Sequence, residues 1–338
     1  QGDFKLDITL LAGLEAELPF ESLGFDFSNF GEQLEAMIAV GSGKQTLGMD
    51  VSYAQGFAVN FDRAAEAGVK YCFVRASSGM TEKDPNFELN WMEAGRVGML
   101  RGIYYYQYPE ALATAGELED RSPEGQARRF ARMLKEDAEL GAVLDVEADG
   151  LDPLEVQRFV DEFQKHDPYG RPIMIYTGGW YWNWARGYTG EPVAWATEHP
   201  LWVAQYTHDE KSIYPAADYQ VAVPDPWQQY NFHQWTAVGG PLIKHVSPHL
   251  DLNNFPGTIE DLLAWSNVDE APVAKAPVAR KRVDAGGGLN VRAEPRRDGP
   301  KVGTLKNGSE VEVFEEGEWD YVRAGDVVGY VFSQLLAA

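Results

Sequence analysis

Asp145 and Glu147 stand one residue apart in "AVLDVEADG" (142–150), directly after an apolar run. Side chains two apart on a strand share a face, so both carboxyls point the same way. Packing does not ask for this, because an unpaired buried charge is costly. An ordinary loop beginning at Asp145 would also explain the pair, so the rest of the chain has to decide. Two further acids fall in strand-like runs: Asp50 closes "LGMD" and Asp251 lies in "HLDLNNF". Carboxyls gathered without metal ligands or cations nearby raise one another's pKa. A proton-donating acid beside an ionised partner is what glycoside hydrolysis requires.

Aromatic residues crowd the same run ends: Tyr104, Tyr105, Tyr106, Tyr176, Trp180, Trp202, Tyr206 and Trp235. Tyr104 and Trp202 read as core. Sugar rings present apolar faces that stack on flat side chains, and polar edges that suit amides. Tyr105, Tyr106, Tyr176, Trp180, Tyr206 and Trp235, with Gln205 and Gln234, are therefore expected to line a carbohydrate groove.

These residues need a scaffold that delivers them to one place. Strand-like runs occur at 47–52, 71–77, 101–107, 141–147, 172–177, 201–206, 232–238 and 249–255. Helical patterns at 59–69, 86–98, 122–141 and 152–170 separate the early ones. Two of them open on a cap followed by proline, Ser122-Pro123 and Asp152-Pro153, which marks a helix start. Eight strands alternating with helices through at least the first five predict an α/β, TIM-like barrel. The later connections read as short or irregular, so the helical ring is expected to be incomplete. Chemistry in such barrels sits at the C-terminal strand ends, which would bring the four acids to one rim.

Beyond the barrel, "SNVDEAPVAKAPVARK" (266–281) has no helical period and reads as a semi-stiff linker. Residues 282–338 follow as short β-rich runs broken by Gly, Asn and Asp turns, a small all-β barrel. Residues 1–44 precede "LGMD" as an acidic extension. It reads equally as a docking arm for a virion or secretion machine, a prosegment, or a packing extension.

Bulk properties narrow the function further. The 338 residues carry 29 Lys and Arg against 52 Asp and Glu, a formal charge of −23. Nucleic acid is thus not an expected partner, nor is an anionic surface reached by charge alone. Cys72, the single cysteine, lies in apolar "YCFVRAS" and reads as a buried core residue. The six histidines form no metal-ligand spacing, and no metal or cofactor is expected. No run reaches the roughly 18 apolar residues of a membrane span. The first 20 residues lack the basic start of a signal peptide. Extracellular action would then need phage lysis, a virion, another export route, or a leader already removed.

Residues 47–258 resemble glycoside hydrolase family 25, the Chalaropsis-type lysozymes. The matching pieces, in order, are "GMDVSYAQG", "FVRASSG", "RGIYYYQY", "AVLDVEADG", "PIMIYTGGWYW", "LWVAQY", "HQWTAVGG" and "HLDLNNFPG". The resemblance implies an irregular α/β barrel over 45–265 that cuts bacterial peptidoglycan. The bond would be the β-1,4 link from N-acetylmuramic acid to N-acetylglucosamine, cut with retention. It carries the family's acids onto Asp50, Asp145, Glu147 and Asp251, with Glu147 as proton donor. Asp145 would orient the substrate's N-acetyl group or act as nucleophile. One departure is that Tyr105 stands where the family usually has histidine. Residues 283–335 resemble a bacterial SH3-like wall-binding domain on "LNVRAEP", "VGTLKNGSEVEVFEE" and "WDYVRAGDVVGYVFSQLL". The rival readings are a chitinase-like hydrolase and a catalytically silent wall-binding protein.

Overall fold

The computed structural model describes residues 45–57, 59–79, 83–112, 121–184, 194–206, 215, 219–243, 246–247 and 249–337. The expectations for residues 1–44 lie outside these. Eight strands close a barrel in sequence order. They are β1 (Thr46–Val51), β2 (Tyr71–Ser78), β3 (Leu100–Tyr106), β4 (Gly141–Asp145), β5 (Met174–Gly178), β6 (Leu201–Ala204), β7 (Phe232–Thr236) and β8 (Asp251–Phe255). Each lies within three residues of a strand-like run in the sequence.

Helices α1 (Phe61–Glu66), α2 (Phe87–Arg96), α3 (Pro123–Ala131) and α4 (Pro153–Gln164) follow the first four strands. After β5 comes a π-helical turn, Trp180–Trp184, and after β8 comes α5 (Ile259–Ser266). Among the described residues the ring of helices is incomplete, as expected, although the connections after β5 and β6 are long rather than short. Both cap-proline starts form: Ser122 Oγ accepts from the Gly125 amide at 3.1 Å and Asp152 Oδ1 from Leu154 at 2.7 Å. The pattern read over 122–141 yields a shorter helix, which stops at Ala131 and gives way to turns.

One feature of the barrel departs from a fully parallel α/β pattern. Strands β1 to β7 pair in parallel, but β8 runs antiparallel to both β7 and β1. A reversed strand presents its N-terminal end where its neighbours present their C-terminal ends. Asp251, the first residue of β8, therefore pairs directly with Asp50 near the end of β1. The carboxyl reaches the rim through that reversal.

The barrel interior is filled, not hollow. Tyr71, Phe73, Tyr104, Trp202, Phe232 and Phe255 form a buried cluster inside it, with Phe73 stacked on Trp202 at 4.4 Å between centroids. Such large rings need small residues opposite them. A Cβ at Gly48 would lie 2.1 Å from the Tyr71 ring, and one at Gly102 would lie 2.2 Å from Phe73. A second cluster between barrel and helices holds Phe61, Cys72, Trp91, Tyr105, Phe130, Phe159, Phe163 and Trp235.

After α5 the chain builds an antiparallel sheet from seven strands. They are β9 (Ala279–Val283), β10 (Leu289–Arg292), β11 (Lys301–Leu305), β12 (Glu310–Glu315), β13 (Trp319–Ala324), β14 (Val327–Phe332) and β15 (Leu336–Ala337). Their spatial order is β11-β10-β14-β13-β12-β9-β15, around a core that includes Val283, Val291, Val313, Val322 and Val331. The Ala/Pro/Val run between α5 and β9 is mostly exposed but is tied to the barrel by a hydrogen bond. The Lys275 amide donates to the Arg96 carbonyl at 2.7 Å, at the end of α2.

Candidate active site

Three strands of the barrel bring the predicted acids together. Asp50 comes from β1, Asp145 from the end of β4, and Asp251 from the start of β8. Glu147 lies two residues beyond β4, where the chain continues along β5 without being a regular strand. The Val146 amide donates to the Tyr176 carbonyl at 2.9 Å, and Thr177 Oγ1 donates to the Val146 carbonyl at 2.8 Å. Those bonds keep the two-residue alternation going, so Asp145 and Glu147 share a face.

The four environments differ. Asp50 is buried, and its Oδ2 accepts from Gln234 Nε2 and from Asn253 Nδ2, each at 2.8 Å. Trp202 Nε1 donates to Asn253 Oδ1 at 2.8 Å, which fixes the direction of that amide. Asp145 is equally buried, but its Oδ1 has no hydrogen-bond partner among the described residues. Asp251 Oδ2 accepts a long bond from Gln55 Nε2 at 3.4 Å. Glu147 is half-buried.

Burial raises all four pKa values, because a carboxylate withdrawn from water loses hydration. Asp50 rises to about 6, held back by the Asn253 and Gln234 bonds and by Arg75. Glu147 rises to about 7 through burial and then the charge of Asp50. Asp251 rises to about 8 through burial and the charges of Asp50 and Glu147. Asp145 goes well above the carboxylate range, through burial and Glu147, with Arg75 opposing. Four such groups cannot all ionise together, so the set holds protons near neutral pH while Asp50 is the best prepared to carry charge.

Sequence reasoning missed three members of this site. Arg75 on β2 donates from Nε to Asp84 Oδ2 at 2.9 Å and lies 4.6 Å from the Tyr53 ring centroid. Tyr53, more than half exposed, and Asn253 are the others. The signals were present: Arg75 keeps the alternation of Tyr71 and Phe73, and Asn253 stands two after Asp251, so both face inward.

The expected groove residues divide. Trp180 and Tyr206 are exposed, with ring centroids 6.2 Å apart, and Tyr106 is half-buried beside Asp145 and Glu147. Tyr176 reaches the site but is buried, its hydroxyl donating to Gln234 Oε1 at 2.7 Å. Tyr105 and Trp235 do not line a groove. Both are fully buried in the cluster between barrel and helices, because odd and even positions on a strand face opposite sides. The Tyr105 hydroxyl accepts from Arg129 Nη1 at 2.9 Å.

Gln234 also needs correction as a sugar contact, and Gln205 is half-buried at the barrel mouth. Gln234 is buried, and its carbonyl oxygen accepts from Tyr176 and Tyr206 while its nitrogen serves Asp50. Gln205 binds Tyr219 Oη through Nε2 at 2.8 Å and the Ala222 amide through Oε1 at 2.7 Å. Both amides stitch the barrel mouth. Tyr104, read as core, is buried in the interior but turns toward Asp50, whose charge, after burial, raises its pKa. Cys72 is buried and free, as read. Among the described residues no group of His, Cys, Asp and Glu could hold a metal ion, and no helix is long and apolar enough to cross a membrane.

Comparison with known proteins places this arrangement. The model of glycosyl hydrolases family 25 matches residues 49–240, and that of the bacterial SH3 domain matches residues 287–337. Lysozyme M1 of Streptomyces globisporus is 25% identical over 264 residues, covering 72% of this chain and 82% of the relative. The bacterial lysozyme of Streptomyces coelicolor superposes with a TM-score of 0.52 at 27% identity, over 67% of this chain and 97% of that one. The muramidase of Trichobolus zukalii gives 0.50 at 25% identity, over 65% and 98%.

Proposed function

The chain belongs to glycosyl hydrolases family 25, and from that premise we propose that it is a muramidase working with retention, Glu147 serving as general acid and then base. It is a glycoside hydrolase of the lysozyme kind with a bacterial SH3 domain at its C-terminus. The proposed bond is the β-1,4 link from N-acetylmuramic acid to N-acetylglucosamine in bacterial peptidoglycan, with action at the cell wall outside the target cell.

The observation that carries this reading is the contrast between Asp50 and its neighbours. Asp50 has two amide donors and can hold charge, whereas Glu147 lacks a donor among the described residues and stays protonated to about pH 7. A protonated carboxyl beside an ionised one can give its proton to the glycosidic oxygen as the bond breaks. The leaving sugar departs as an alcohol, and positive charge develops at C1.

Asp145 supplies the second half. Its unpartnered Oδ1 suits the N–H of the sugar's N-acetyl group. Held that way, the acetyl oxygen attacks C1 and forms an oxazolinium ion, which a water deprotonated by Glu147 opens. Direct attack by Asp145 is the alternative within the same geometry. Either route displaces twice at C1 and keeps the β configuration. Trp180 and Tyr206 offer flat faces for neighbouring sugar rings, and Asp251 tunes the set by its proximity to Asp50.

The test is Glu147→Gln, which keeps shape and removes the transferable proton. General acid catalysis is worth about 10²- to 10⁴-fold, so turnover on purified peptidoglycan should nearly vanish while wall binding persists. Proton NMR of the first product should show the β anomer at a muramic acid reducing end. An α product, an N-acetylglucosamine end, or equal hydrolysis of chitin would overturn the reading.

A further inference from the structure

Helix α2 (Phe87–Arg96) has two buried stripes. Phe87, Trp91 and Ala94 pack into the barrel core. Leu89, Glu93 and Arg96 sit at the same spacing on another face and are also buried, though two of them are charged. What covers them is the C-terminal sheet.

Leu89 joins Ala293, Phe314, Tyr321 and Tyr330 in one apolar cluster. The Tyr321 hydroxyl donates to Glu93 Oε1 at 2.7 Å. Arg96 forks twice, with Nε and Nη2 on Glu93 at 2.7 and 2.8 Å, and Nη1 and Nη2 on Asp62 at 3.0 and 2.7 Å. Arg323 from β13 closes the chain of charges, its Nη1 on Asp62 Oδ2 at 2.8 Å. Phe314 of the sheet lies 5.3 Å below the Arg96 guanidinium. The connecting run is clamped as well, since a Cβ at Gly98 would meet Pro272 O and Ala274 N at 2.8 Å.

Both forks lie on the barrel side and hold Glu93 and Asp62 in fixed positions, where Tyr321 and Arg323 of the sheet meet them. Turning the sheet away would leave Glu93 without Tyr321, Asp62 without Arg323 and Arg96 without the Phe314 ring, and would wet Leu89. A tethered anchor needs none of this. Raising local concentration through a flexible linker works with no contact between the parts.

We propose that the SH3-like unit is a fixed part of the wall-attacking enzyme, and that its contacts with Leu89, Glu93 and Asp62 set the angle at which the barrel's groove meets a strand the unit holds. This goes beyond the muramidase reading, and one of its measurements does not depend on that reading. Leu89, Glu93 and Asp62 are positioning residues here, since none of them touches the acid set.

The experiment compares the full chain with four variants: two single substitutions, an insertion, and the two substitutions combined. Leu89→Glu acts from the barrel side without entering its core, and Arg323→Ala acts from the sheet. The third inserts six Gly/Ser residues between Glu270 and Ala271, which are exposed, and lengthens the connection while leaving the interface intact. Backbone ¹⁵N relaxation should give one common tumbling time for both units in the native chain and in the insertion variant. It should give two different times in the Leu89→Glu/Arg323→Ala double variant, with the sheet's own amide signals still dispersed.

Clearing of insoluble walls should fall roughly tenfold in the double variant and stay within about twofold in the insertion variant. Hydrolysis of soluble chains should stay within about twofold in all of them. Independent tumbling in the native chain would overturn the proposal. So would wall clearing at native rates once the units are undocked, or a loss on insertion equal to that on undocking. If the native chain tumbles as one body yet cleaves no peptidoglycan, the muramidase reading fails and the docking stands.

Discussion

Gln234 on β7 donates its side-chain nitrogen to Asp50 Oδ2 on β1 at 2.8 Å, while its carbonyl oxygen accepts the hydroxyls of Tyr176 and Tyr206. One buried amide thus spans the barrel mouth and orders two aromatic hydroxyls and one carboxylate. An amide is the group for this, because it donates on one side and accepts on the other.

Gln234→Leu should therefore act through Asp50. Removing a hydrogen bond to a charged group costs about 1.5–3 kcal/mol, so kcat should fall roughly 10- to 100-fold with little change in KM. Steady-state kinetics on soluble chains checks this. A rise in KM at constant kcat would return Gln234 to a sugar-binding role.

Activity should fall as pH rises through about 7, where Glu147 loses its proton. On the acid side it should fall below about 6, where Asp50 gains one. Because the groups interact, the two limbs report the set as a whole. Lengthening the acid limb's range is the expected effect of a stronger donor to Asp50, and kcat/KM against pH is the measurement.

Stability should run the opposite way from that of a protein with paired carboxylates. The folded chain binds protons at Asp50, Glu147 and Asp251 more tightly than the unfolded chain does. Between the unfolded values near 4 and the folded values of about 6 to 8, the folded state holds more protons, so stability falls as pH rises. Asp251→Asn removes one such burden. Urea unfolding should find the variant more stable than the native chain at pH 8 by on the order of 2 kcal/mol, with a smaller gap at pH 5.

Two aromatic substitutions should separate groove from core. Trp180→Ala should raise KM several-fold and spare kcat, the mark of lost uniform binding. Tyr105→Phe should leave both within about twofold and lower stability by about 1.5–3 kcal/mol, the worth of a hydrogen bond with the charged Arg129. A KM effect at Tyr105 would contradict its place between barrel and helices.

Much of this protein could be read from local pattern alone. Apolar strand-like runs marked the barrel strands, the cap-proline pairs gave the starts of α3 and α4, and Asp145-Val146-Glu147 gave two carboxyls on one face. These are properties of neighbouring residues, and chain geometry fixes them before any packing occurs. The tertiary structure decided the rest. Tyr105 and Tyr106 are indistinguishable by type, and only the barrel's curvature says which of them faces the acids. Gln234 looked like a sugar contact until Asp50, 184 residues away in sequence, came within reach of its amide. Asp251 needed β8 to reverse before it could stand beside Asp50. Leu89, Glu93 and Arg96 carry no local sign of their burial, because nothing within α2 indicates that a sheet built much later in the chain will cover them. Local sequence sets which way a side chain points, whereas burial and partnership are set by whatever distant segment arrives there.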